Sequence, residues 1–413
     1  MRAGFGKSDI TPSLGVELCG YGYDLGRRAK GVMDRLHASC IAFEGGGGER
    51  YLIISCDAIG FGDRVIGDIK ARIHSEFGIG GDGVMLAATH THTGPGVKKY
   101  TGCGEPDEAY LAGLPEKIAL SAGEALGDLH EVEYVRRSQK EIEAIGYNRS
   151  VRGGPEDHYV RGVLIKRTDA PDIALASYPC HPVTLGAKAE ISADYPGQAA
   201  DALSSMGMRG MFVTGICGDI DPARNLAAWG SGTPEVIREY GERIARGFAE
   251  GLGDIAYVKD FSHAIIEVEV PLEPFDKSRV EKTAGDILGS AENAGYRRVV
   301  GVWREEMLGA LEAGEKKCET GTAHVFSIGD FMLVGLNYEA ATVIGMKIRG
   351  AFPGKTVVVA GNTDDIRGYF PSDAMLEAKT YEAWDSIFLY RRFPVAKGAA
   401  DMFAEDVVRG IRN

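Results

Sequence analysis

AATHTHTGPGV, residues 87–97, sets two of the chain's nine histidines one residue apart in a frame of threonines, at the mouth of a Gly-Pro-Gly turn. Residues 83–88 are small and apolar and read as a buried strand, which Gly94, Pro95 and Gly96 then break. Side chains i and i+2 of an extended segment share a face. His90 and His92 therefore project together from a strand end, where α/β proteins place their chemistry.

Working outward, strands and helices alternate along the whole chain. Two mostly apolar runs, 36–44 and 51–56, flank a GGGG turn and read as a hairpin. Residues 64–76 carry Val65, Ile66, Ile69 and Ile73 at helical spacing. Helices are expected at 115–127, with Pro in the first turn, and at 196–205, 234–251, 278–291, 300–313, 339–349 and 372–384. Strands are expected at 132–142, 160–167, 173–178, 210–215, 264–272 and 356–360, with a hairpin over 320–336. No repeat, low-complexity tract or linker interrupts the series. The expected fold is α/β: a single domain with a mixed β-sheet core flanked by helices and a metal site at strand ends.

Composition narrows the function. Of 413 residues 44% are hydrophobic and 25% charged, as in a globular protein. The net charge of −13 and the lack of a basic stripe argue against a nucleic-acid partner. No apolar run has the length of a membrane span, so no stable membrane insertion is expected. The N-terminus lacks a signal-peptide pattern, which points to the cytoplasm. Seven scattered cysteines without a CxxC pair read as packing residues.

Four places join a metal-competent side chain to a strand end or helix start. They are His90 with His92, His181 in YPCHPVTLG, Glu339 in LVGLNYEAAT and Tyr369 in NTDDIRGYFPS. Glu339 is expected at a helix N-terminus, where negative charge is favoured. Each position alone also fits a cap, a turn or a packed side chain; the recurrence of one setting makes the case.

These residues resemble the neutral (non-lysosomal) ceramidase family, specifically its N-terminal catalytic domain. GFGKSDITP, THTHTGPG, GYNRS, CHPVTLG, ISADYPG, TGICGDIDPARN, YEAATVIGMKIR and GYFPSDAMLEAKTYEA follow in the family's order over residues 1–413. The resemblance implies a zinc amidase with one Zn²⁺ per chain. It makes His90, His181, Glu339 and Tyr369 the metal ligands and His92 the residue beside the reacting water. It makes Arg149 a substrate-orienting residue and Tyr381, twelve residues after Tyr369, a second active-site tyrosine. Two imidazoles and a carboxylate suit zinc with a position left open for water. His92 would move the proton, and Tyr381 or Arg149 would stabilise the oxyanion. Asp57 and Asp194 read either as partners that orient a histidine or as turn and cap carboxylates.

Three departures from the family bear on mechanism and substrate. Asp221, in GDIDP, stands where the family has a serine, so a serine acyl-enzyme does not fit and a water mechanism does. It reads as a base, a substrate contact, a cation ligand or a turn residue. The chain ends soon after the last match, so the family's C-terminal β-sandwich domain is expected to be absent. No apolar surface helix suits work on a membrane. The expected substrate is a small, soluble acyl amide or ester, such as an acylated sugar or amino compound. Two other readings stand beside it. One is a two-metal phosphoester hydrolase using Asp219, Asp221, Asp364 and Asp365; the other is a non-catalytic metal- or ligand-binding homologue.

Overall fold

The computed structural model describes residues 1–23, 26–98, 100, 102–314 and 318–413. Two sheets stack face to face. The larger runs Arg209–Thr214, Ile173–Tyr178, Tyr159–Arg167, His130–Glu141, Arg2–Asp9, His37–Glu44, Arg50–Cys56, Val84–Ala88, with Leu252–Ala256 also pairing with His130–Glu141. The smaller runs Ser262–Pro271, Cys318–Ile328, Phe331–Leu336, Thr356–Ala360. Alternate residues of both inner faces, among them Phe43, Tyr51, Ile53, Val163, Phe326, Leu333 and Val358, form one buried cluster between them. The strands Arg50–Cys56, Val84–Ala88 and Phe331–Leu336 are buried almost end to end because both of their faces are covered. Helices cover the outer faces. Asp63–Phe77 and Glu108–Gly127 pack on one part of the larger sheet, Asp194–Ser205 and Pro234–Glu250 on another. Thr342–Gly350 and Ala399–Arg412 cover the smaller sheet. Each fully buried large apolar side chain contributes roughly 1.5–3 kcal/mol to holding these layers together.

The α/β class with a mixed sheet core is as expected, but the core has two sheets. Hydrophobic alternation identifies a strand without saying which sheet it joins, so the stacking was invisible in the pattern. Several helix bounds differ from those expected. The helix expected from Pro115 starts at Glu108, where the Asp107 side chain accepts from Tyr110 N. The helix expected from Glu339 starts at Thr342, after Glu339–Ala340 pairs in parallel with Tyr369–Phe370. The helix expected over 372–384 stops at Ala378, because Lys379 turns into the left-handed region at φ 51°, and Tyr381 follows in a turn.

Strand direction positions the site. The two large sheets contain three parallel pairs among the described residues: Arg50–Cys56 with Val84–Ala88, Ile173–Tyr178 with Arg209–Thr214, and Phe331–Leu336 with Thr356–Ala360. His90, His181, Glu339 and Tyr369 all come after the carboxyl ends of strands in these pairs. Isolated bridges Ala87 to Thr363 and Gly215 to Ala360 join the sheets there. Loops from both sheets thus meet in one crevice outside the strand ends.

Candidate metal centre

His90 leaves the strand Val84–Ala88 with φ 69°, a left-handed conformation rarely adopted by a residue with a side chain. The surrounding backbone holds it, with His90 N donating to Ala58 O. The His90 Nδ1 contacts Ile59 O, and the His181 Nδ1 contacts Cys217 O at 2.7 Å. A carbonyl only accepts, so each Nδ1 carries the proton and each Nε2 presents a lone pair. Both lone pairs meet one carboxylate oxygen. Glu339 Oε2 lies 3.0 Å from His90 Nε2 and 3.3 Å from His181 Nε2. All three residues are at most 2% exposed.

The geometry separates a metal cradle from an ordinary ion pair. Despite their 3.0 Å separation, His90 Nε2 and Glu339 Oε2 make no hydrogen bond to each other or to any other described residue. Three acceptor atoms converge with no proton aimed between them, which is repulsive unless a cation sits among them. Tetrahedral bonds of 2.0–2.2 Å would separate ligand atoms by about 3.3–3.6 Å, close to the spacing found. The residues present therefore fit a divalent metal.

Tyr369 adds a fourth ligand atom, an oxygen. Its hydroxyl lies 3.3 Å from His181 Nε2 and accepts from Arg149 Nη2 at 3.1 Å. Arg149 is carried in by Gly146–Asn148, which pairs antiparallel with Ile220–Pro222. Its guanidinium also donates to Glu382 Oε1 at 2.9 Å, Asp221 Oδ1 at 2.8 Å and Gly218 O at 3.0 Å. Burial disfavours the Arg149 charge, but Asp221, Tyr369 and Glu382 more than offset it, so it stays protonated. Tyr381 stands at the mouth, 38% exposed, with its ring 5.8 Å from that of Tyr369.

His92 completes a set of three imidazoles. The ring centroids of His90 and His92 are 4.9 Å apart and those of His92 and His181 5.5 Å. Ligand-competent nitrogens of these three rings lie within 4.8 Å of one another. Neither His92 ring nitrogen has a hydrogen-bond partner among the described residues. Burial holds its pKa well below that of free histidine, so the ring is a neutral base. Gly20 makes room for it, at φ 122°: a Cβ there would fall 2.5 Å from the His92 ring.

The acidic candidates are used elsewhere. Asp219, not Glu339, serves the N-terminus of Thr342–Gly350, accepting from Thr342 N at 2.8 Å and Oγ1 at 2.7 Å. Asp57 accepts from His37 N and Thr89 Oγ1. Asp194 accepts from Leu185 N and Tyr195 N. Neither touches a site imidazole, because the carbonyls of Ile59 and Cys217 do that orienting work. Sequence reasoning missed these carbonyls, which have no residue-type signal. It also missed Tyr390, whose hydroxyl donates to Glu339 Oε1, and Glu382. Tyr390 ends the short apolar run IFLY, residues 387–390, which carries no site signal of its own.

No family model matches the sequence. Among solved structures, neutral ceramidase from Pseudomonas aeruginosa superposes with a TM-score of 0.76 at 20% identity, covering 100% of this chain and 74% of that one. A ceramidase complexed with C2 gives 0.74 at 18% identity, covering 100% of this chain and 75% of that one. The fold is therefore the neutral ceramidase fold, as the ordered motifs of the sequence imply. Among the described residues no helix is long and apolar enough to cross a membrane.

Proposed function

We propose that this chain is a member of the neutral ceramidase family in which residues 1–413 form a zinc-dependent amidase domain acting on a soluble, polar acyl amide or ester. The observation that carries this reading is the acceptor-only convergence of His90 Nε2, His181 Nε2 and Glu339 Oε2 at 3.0 and 3.3 Å. These three and Tyr369 would hold one zinc ion, which when bound supplies Lewis-acid activation of water and of the substrate carbonyl.

The chain's own residues do the rest. His92, neutral and without a competing partner, takes the proton of the attacking water and returns it to the departing nitrogen. Tyr381 offers its hydroxyl to the developing oxyanion. Arg149 has four of its five N–H donors committed to protein groups, so it acts as the brace of Tyr369, Asp221 and Glu382. Asp221 holds the position of the family's serine and pairs with Arg149 at 2.8 Å. That arrangement supports direct attack by water.

Metal content of the purified protein, beside a His90→Ala/His181→Ala variant, tests the reading. The expected result is about one zinc per chain, lost in the variant together with hydrolysis of small acyl amides. Wild-type protein that takes up no zinc on reconstitution would overturn it.

A further inference from the structure

Resting on the zinc amidase reading, we propose that Tyr390 is a positioning residue. Its hydroxyl ties down one oxygen of Glu339, so that the carboxylate reaches the metal through the other oxygen alone and a coordination position stays open.

The two oxygens of Glu339 have different surroundings. Oε2 faces His90 Nε2 at 3.0 Å and His181 Nε2 at 3.3 Å, with no hydrogen-bond partner among the described residues. Oε1 accepts from the Tyr390 hydroxyl, and no other described residue donates to it. Glu339 is 2% exposed, so solvent does not stand in for that donor. Carboxylates hold cations through one oxygen or through both. With His90, His181 and Tyr369 as the other ligands, one oxygen from Glu339 completes a set of four. A second would compete with the reacting water for the next position. Hydrogen bonds to the far atoms of ligand side chains are what decide such orientations.

Tyr390 is itself held in place. Its short helix, Ser386–Tyr390, ends where Arg391 turns into the left-handed region at φ 54°. The ring stands edge-on to Tyr100 at 5.3 Å and to Tyr369 at 6.0 Å. Gly368, at φ 133°, leaves room for it: a Cβ there would fall 3.0 Å from Tyr390 Cγ. The same Gly368 accepts from Glu339 N at 2.9 Å, just before Glu339–Ala340 pairs with Tyr369–Phe370. The segment that carries two of the ligands thus also seats the Tyr390 ring, which fixes the direction of its hydroxyl. Packing alone would be served by phenylalanine; the oxygen is there for Glu339.

The test asks whether the open position depends on that hydroxyl. Full-length wild type and Tyr390→Phe, which keeps the ring and loses one oxygen, are stripped of metal and loaded with cobalt(II). Azide, a small anion that takes an open position on cobalt, is then titrated while the visible spectrum is followed. Wild type is expected to show a saturable shift, with azide binding at least about 10-fold weaker in Tyr390→Phe. Leu389→Ala, which disturbs packing beside Tyr390 and keeps the hydroxyl, should stay close to wild type. Equal or tighter azide binding in Tyr390→Phe, an equal loss in Leu389→Ala, or a Tyr390→Phe protein that takes up no cobalt would overturn the proposal and leave the amidase reading standing. So would a cobalt-loaded wild type that azide does not shift. Wild type that takes up neither cobalt nor zinc would overturn both.

Discussion

Two histidine–carboxylate clusters among the described residues are neutralised differently. At Asp364 the carboxylate meets His324 Nε2 at 3.1 Å and Lys70 Nζ at 3.0 Å. The lysine supplies the positive charge from within the chain, and burial holds His324 neutral. At Glu339 two imidazoles face the carboxylate, and their Nδ1 protons are already committed to carbonyls. No lysine or arginine forms an ion pair with Glu339 among the described residues. The first cluster has its counter-charge within the chain, whereas the second needs a cation from outside. Residue composition alone does not separate a structural ion pair from a metal cradle; the direction of the protons does. The same comparison bears on the two-metal reading. Asp365 is paired with Lys98 at 2.9 Å and Arg367 at 3.3 Å, Asp221 with Arg149, and Asp219 serves a helix end. None of these carboxylates is left as a free ligand group.

The contrast breaks most sharply on charge removal. Glu339→Gln should cut bound zinc from about one per chain to below about a tenth and lower kcat/KM at least about 1000-fold, since the metal supplies several kcal/mol of transition-state stabilisation. Asp364→Asn should keep its zinc and instead cost about 1 kcal/mol of stability, because the Lys70 and Asp364 side chains are both partly exposed. Plasma mass spectrometry and urea titration measure both. Zinc loss of equal size in the two variants would end the distinction.

His92 sharpens it within the site. As a proton carrier outside the metal cradle, His92→Ala should lower kcat by about 100- to 10,000-fold with zinc retained. Loss of zinc in this variant would make His92 a third imidazole ligand.

Much of this was legible in the sequence, for stated physical reasons. THTH singled out His90 and His92, and their ring centroids are 4.9 Å apart, but the strand ends at Ala88 and His90 has φ 69°, so the turn and not extended i, i+2 geometry brings them together. His181, Glu339 and Tyr369 were found because each comes after a strand, and parallel strands bring such segments together. What was hidden is what acts through backbone or through distant packing. The Ile59 and Cys217 carbonyls set the tautomers and leave no mark in residue identity. Tyr390 reaches Glu339 from 51 positions away, out of a run that reads as core. The stacking of two sheets escaped because period-two alternation does not name the opposing layer. Asp219, not Glu339, serves the helix N-terminus because the start of Thr342–Gly350 lies three residues later than the pattern suggested.

Asp57 extends the comparison to a third buried carboxylate, one with neither a metal cradle nor a lysine ion pair. It accepts only from His37 N and Thr89 Oγ1, and burial pushes its carboxyl up to about 7. The third way to neutralise a buried carboxylate is a proton. The folded value exceeds the unfolded value of 3.8, so the folded state keeps a proton that the unfolded chain has released. Stability from this group is fully present below pH 3.8 and is lost as pH rises through about 7. Between pH 6 and pH 8 the loss is about 1.4 kcal/mol. Asp57→Asn keeps an acceptor oxygen and cannot ionise, so its stability relative to wild type should improve by that amount over the same interval. Taking the difference cancels the ionisations that the two proteins share, including those of the site imidazoles. Urea midpoints at pH 6 and pH 8 measure it, and parallel profiles would mean that Asp57 is already charged and neutralised by a group the hydrogen-bond pattern does not reveal.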